Sequence, residues 1–176
     1  MFDDLEHRFA HLEELELRAQ AEELTRAERA DVLLADRLRA AHGTRIGIVL
    51  RSAERLVGSV GEVGDGWCEL TGTRGPRRAL VRTEAIALVE ALGARARPLT
   101  DANSLPRSLQ SHLRARARDR VHVLMHTEIG HVAGRIIHVG ADAIDLRRLP
   151  TGERSDLGTA AGVTVPLRAL HAIEEI

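Results

Sequence analysis

Two hydrophobic periods divide the 176-residue chain. Residues 1–42 contain neither Gly nor Pro and are rich in Glu, Leu, Ala and Arg, a helix-forming composition. Leu5, Phe9, Leu12 and Ala19 fall near a repeat of about 3.5 residues, as do Leu24, Ala27, Leu34 and Leu38, while Glu16 and Asp31 interrupt the stripes. Thr25-Arg26-Ala27-Glu28 has the form of a capping box, so one long helix and two helices meeting near Thr25 both fit. His42-Gly43 supplies the stop. From Arg45 the period shortens to two: Ile46, Ile48 and Leu50 alternate with other residues, and Val121, Val123 and Met125 do the same 75 residues later.

That spacing extends in both directions. Leu38-Arg39-Ala40 and Leu113-Arg114-Ala115 precede the two strands, again 75 residues apart. At an offset of 76, Leu56, Gly58, Val60, Val63, Gly64, Cys68 and Leu70 stand over Val132, Gly134, Ile136, Val139, Gly140, Ile144 and Leu146. At an offset of 84, Val81, Ala85, Ile86, Val89 and Glu90 stand over Val165, Ala169, Leu170, Ile173 and Glu174. The jump of eight falls between "TRGPRR" and "TGERSDLGTAAG", turn sequences in which insertions cost little. Matched glycines, a matched helical lead-in and one loop-placed insertion predict an internal duplication of a helix followed by about five short strands. Between the copies, Pro and Gly through Pro106 mark a linker, and Ser108 to Arg118 reads as the second leading helix.

Composition sharpens this picture. Hydrophobic residues make up 44% of the chain, a globular value, but the aromatic set is only Phe2, Phe9 and Trp67, so the core must be built from Val, Ile and Leu. No apolar run reaches the roughly 18 residues that a membrane span needs, and the acidic start "MFDDLEHRFAHLEELE" does not read as a signal peptide. The expectation is a cytoplasmic protein. One cysteine, Cys68, excludes an internal disulfide framework and a multi-cysteine zinc site. Every basic charge apart from histidine is arginine, and charge is segregated: residues 1–36 carry net −7 and the remainder net +6. Residues 93–120, with seven arginines against two acids, are the most basic stretch.

Leu56–Leu70 and Val132–Leu146 each run from an alternating strand through a glycine (Gly58, Gly134) and a turn with an acid (Asp65, Asp142) to a strand ending in leucine. This resembles the first motif of Sm-like proteins, and "ALVRTEAIALVE" and "VTVPLRALHAIE" resemble the second. An SH3-type barrel has a similar reading. The resemblance covers residues 25–176 and implies an α+β, mainly β fold: two tandem Sm-like five-stranded small barrels, each preceded by a helix, plus a long N-terminal helix. The boundaries are 1–24 for an acidic helical arm, 25–92 for the first helix and barrel, 93–107 for the linker and 108–176 for the second helix and barrel. Such proteins bind RNA or organise RNA–protein complexes, and form rings by pairing the fourth strand of one unit with the fifth of the next. Where the family has a base-contacting asparagine this chain has Glu69 and Asp145, and the family's Arg-Gly survives only as Arg82-Thr83 and becomes Pro166-Leu167. The family's uridine pocket is therefore not expected.

The candidate nucleic-acid contacts are Arg74, Arg77, Arg78 and Arg82, then Arg95, Arg97, Arg107, Arg114, Arg116, Arg118 and Arg120. With almost no aromatic platform for base stacking, these arginines would contact phosphates, with a salt-sensitive affinity. Leu5, Phe9, Leu12 and Trp67 are the candidate partner-binding residues, Trp67 serving equally well as core filler. Among nine histidines, His122 and His126 share a strand face but sit about 13 Å apart, leaving a cross-strand pair such as His126 with His131. No catalytic residue, metal site or cofactor is expected, and neither G-x-G-x-x-G nor a P-loop is present. The sequence thus predicts a non-catalytic module associated with nucleic acid, RNA preferred, in assembly or gene regulation. The alternative is a protein-interaction scaffold with a helical dimerisation or partner-binding arm. Two linked units can pair a fourth with a fifth strand internally, and Pro166 discourages strand addition, so a monomer or arm-mediated homodimer is expected.

Overall fold

In the computed structural model the described residues are 31–73, 75, 77–99, 107–148 and 162–176. The chain divides into residues 1–33 and a second compact unit, Leu34–Ile176. The acidic arm, with Leu5, Phe9 and Leu12, lies outside the described residues, and so do Arg74 and most of the long second-copy turn.

The described residues of Leu34–Ile176 form two short helices and ten strands. Helix α1 is Leu34–Ala40, followed by β1 (Arg45–Leu50), β2 (Arg55–Gly64), β3 (Trp67–Thr71), β4 (Arg78–Arg82), a 3-10 turn (Thr83–Ala85) and β5 (Ile86–Glu90). Helix α2 is Leu109–Arg118, followed by β6 (His122–Thr127), β7 (Gly130–Val139), β8 (Ala143–Arg148), β9 (Gly162–Pro166), a second 3-10 turn (Leu167–Ala169) and β10 (Leu170–Glu175). The alternating runs at Ile46 and Val123 are strands, and Ser108 caps α2 by accepting from the Ser111 N–H.

All ten strands form one antiparallel sheet in the order β5-β1-β2-β3-β4-β10-β6-β7-β8-β9. Each half of that order repeats the other; the expected long N-terminal helix falls on residues outside the described ones, and the expected pair of separate barrels is not what forms. The reason lies at the ends of each half. The one-turn 3-10 segment after β4 sends β5 to β1, and β4 uses its remaining edge on β10, pairing Val81 with Ala172, Leu80 with Ile173 and Ala79 with Glu174. With β4 so occupied, the first half stays open. Among the described residues the outermost strands of the sheet are β5 and β9. The expected internal pairing of a fourth with a fifth strand is thus the seam of a single open sheet.

The matched glycines have a physical cause. A Cβ at Gly58 would lie 2.8 Å from the Thr71 carbonyl oxygen, and one at Gly134 would lie 2.6 Å from that of Arg147. At both places a long strand crosses its neighbour too closely for a side chain. Register breaks follow at equivalent points, between Val60 and Val63 in one half and between Ile136 and His138 in the other.

Two apolar clusters lie along the sheet. Leu38 of α1 packs with Ile46, Ile48, Leu56 and Leu70; Leu113 of α2 packs with Val123, Met125, Ile136 and Leu146. Strand β10 serves both, placing Ala172 in the first cluster and Leu170 and Ile173 in the second. Among the described residues no helix is long and apolar enough to cross a membrane.

Candidate functional site

The halves meet at a cavity of about 770 Å³ beside the seam. Its floor and walls come from segments distant in sequence. The β2–β3 turn supplies Asp65 and Gly66, the latter at φ +73°, a left-handed conformation suited to glycine, and its carbonyl accepts from the Thr83 N–H at 3.0 Å. The β7–β8 turn supplies Ala141, Asp142 and Ala143, with the Asp142 carbonyl accepting from the Leu167 N–H at 2.7 Å. Pro166, Leu167 and Arg168 follow β9, and Arg107 to Gln110 open α2.

Helix α2 is held there by Trp67. The indole is fully buried, its Nε1–H donates to the Arg107 carbonyl at 3.1 Å, and its ring meets the His112 ring with centroids 4.4 Å apart. Gly64 makes this fit, because a Cβ there would collide with the indole. Burial lowers the His112 pKa, an effect reinforced by Arg116 and Arg107 and opposed by Glu62 and Glu69. Trp67 is therefore packing that fixes a helix across the seam, and its ring is not presented to a partner.

Three arginines line the cavity: Arg82, Arg107 and Arg168. The Arg82 guanidinium donates to the Leu167 carbonyl and pairs with Glu84, which ties the end of β4 to the second half. Arg107 and Arg168 are exposed. The first turn of α2 contains no acid. Its ladder begins with the Ser111 and His112 N–H groups, both donating to the Ser108 carbonyl, which leaves the Leu109 and Gln110 N–H groups at the positive end of the helix dipole.

Of the other arginines singled out in the sequence, Arg77, Arg95, Arg97, Arg114, Arg118 and Arg120 are exposed and away from this cavity's lining. Arg78 is 3.6 Å from the Glu69 carboxylate. Arg116 departs from expectation: it is buried, forms an ion pair with Glu175 at 3.0 Å and is unavailable to phosphate. Arg168 was not among the candidates. Its signal is a charge reversal between the copies, since it stands over Glu84 at the same offset of 84 that aligns the last strands.

Cys68 is buried, and burial pushes its thiol up to about 12, so the group is a protonated core side chain at neutral pH. His126 and His131 do face each other across the β6–β7 hairpin, with ring centroids 6.5 Å apart, but the His126 Nε2 is engaged with the Glu174 carboxylate at 2.8 Å. Among the described residues there is no group of three or more His, Cys, Asp or Glu placed to hold a metal. No protein-family model matches the chain, and no curated protein matches it either.

Proposed function

We propose that the protein is a non-catalytic module that binds single-stranded nucleic acid, RNA first, through arginine contacts to phosphates. The supporting observation is the seam cavity, whose lining includes Arg82, Arg107 and Arg168 together with the amino end of α2. Guanidinium forks suit phosphate oxygens, and a concave site concentrates their field. Exposed Arg114 and Arg118, one turn apart on α2, extend the basic track away from the cavity. Residues 1–36 carry net −7, and removing residues 1–24 is expected to tighten binding by making the protein less acidic.

The test is fluorescence anisotropy with random single-stranded RNA and duplex DNA at two salt concentrations. Affinity should fall with salt and fall again in R107A/R168A and in R114A/R118A. Binding that is absent at low salt, with or without residues 1–24, overturns the proposal. The second reading, a protein-interaction scaffold, is favoured by the apolar side chains at the two free ends of the sheet: Leu88 on β5 is 49% exposed, and Ile129, at the hairpin beside β9, is 97% exposed.

A further inference from the structure

We infer that the seam cavity takes a single ribonucleotide bearing a terminal phosphomonoester, supplied either as a free nucleotide or as the 5′ end of an RNA strand. The inference rests on the phosphate-binding reading above and names the ligand of that site.

Size comes first. At about 770 Å³ the cavity falls within the roughly 300–1,000 Å³ typical of small-molecule sites. It accommodates one residue of a strand and is too small to hold a duplex. Charge then selects which residue of the strand. An internal phosphodiester carries one negative charge, whereas a terminal phosphomonoester carries about 1.5 to 2 at pH 7. Two exposed arginines in the lining, Arg107 and Arg168, beside a helix amino end suit the more highly charged group. Arg82 is already engaged with Leu167 and Glu84, so Arg107 and Arg168, both exposed, are the two that turn to the phosphate.

The carboxylates explain why the ligand is more than phosphate. Asp65 and Asp142 come from the matched turns of the two halves and share the cavity with the arginines. A site for inorganic phosphate or polyphosphate would be weakened by them. Ionised carboxylates only accept hydrogen bonds, and a ribonucleotide brings donors at its 2′ and 3′ hydroxyls and at exocyclic amino groups. Leu109 and Pro166 add apolar wall against which a base can rest without an aromatic platform. Cationic, acceptor and apolar surfaces in one cavity are the three chemistries of a nucleotide.

The experiment compares the same short RNA with a 5′-phosphate and with a 5′-hydroxyl, and adds AMP, adenosine and inorganic phosphate as competitors. The phosphorylated strand should bind about tenfold tighter. AMP should displace it where adenosine and phosphate do not. R107A/R168A, whose replaced side chains are both exposed, should keep its melting temperature and lose the preference between the two ends, and D65N/D142N should lose the advantage of AMP over inorganic phosphate. If both strands bind equally, with salt dependence intact and no displacement by AMP, the inference fails and the broader phosphate-binding reading stands. If neither strand binds but AMP does, the free nucleotide is the ligand and the nucleic-acid reading fails. If nothing binds, both fall.

Discussion

The two halves of the sheet share an order, a pair of register breaks and a crowded glycine, yet they differ at the positions that meet across the seam. Trp67 in the first half stands over Ala143 in the second, Arg82 over Pro166, and Glu84 over Arg168. In the first half the indole receives α2, and Arg82 reaches the carbonyl of Leu167. In the second half the equivalent positions form cavity wall. The comparison teaches that the duplicated scaffold supplies strands twice but the site once, because a seam between two copies exists only where one copy follows the other.

Substitutions can break this contrast in graded steps. The largest effect is expected for Trp67→Ala, which empties a fully buried site and strands the Arg107 carbonyl; a loss of about 3–5 kcal/mol should appear in urea denaturation. Ala143→Gly at the equivalent place should cost less than half as much. Gly58→Ala and Gly134→Ala should each cost about 1–3 kcal/mol and by similar amounts, since each Cβ meets a backbone carbonyl. A marked inequality would show that the halves are not equivalent in their bends. Arg116→Ala should lower stability by about 1–2 kcal/mol through loss of its partly exposed pair with Glu175, whereas Arg114→Ala on the same helix should leave the melting temperature unchanged and weaken nucleic-acid binding.

The smallest effect is one of pH. Burial lowers the pKa of His112, and also of His171, which lies on β10 and is affected further by Arg51, Arg82 and His126 against the opposing charge of Glu128. A lowered folded-state value means that the unfolded chain binds more protons, so stability is complete above the ordinary histidine value near 6.5 and falls as the pH drops through and below it. Melting temperatures taken from pH 7.5 to 5 should decline, and H112Q/H171Q should flatten the slope. If the slope is unchanged, the acid sensitivity does not lie at the seam.

The repeat was legible because it rests on local facts: period-two runs, glycines in register and a serine before a helix. The strands around Ile46 and Val123 and the helix from Leu109 follow from these alone. Barrel closure was misread for a physical reason. Whether β4 turns back within its own half or joins β10 depends on edges about 90 residues apart, and alternation is the same in either case. The site was half legible. Arg82 and Arg107 stood out by charge, but their place in one cavity lining depends on contacts between the halves such as that from Arg82 to Leu167 across 85 residues, and Arg168 shows only as a reversed sign in the alignment of the copies. Arg116 looked like its neighbours Arg114 and Arg118 because a helix face cannot be assigned until its packing partner, Glu175, is known.

The sharing of β10 between both clusters makes each core depend on the same strand. Ala172 completes the first core and Leu170 and Ile173 the second, so a chain without β10 has neither core complete, although β1 to β5 are all present. The first half then waits with an exposed β4 edge, the kind of unpaired strand that draws neighbouring chains into aggregates. Pairing of β10 with β4 and with β6 covers that edge and supplies both clusters at once, so the two halves of the sheet are coupled through a single strand.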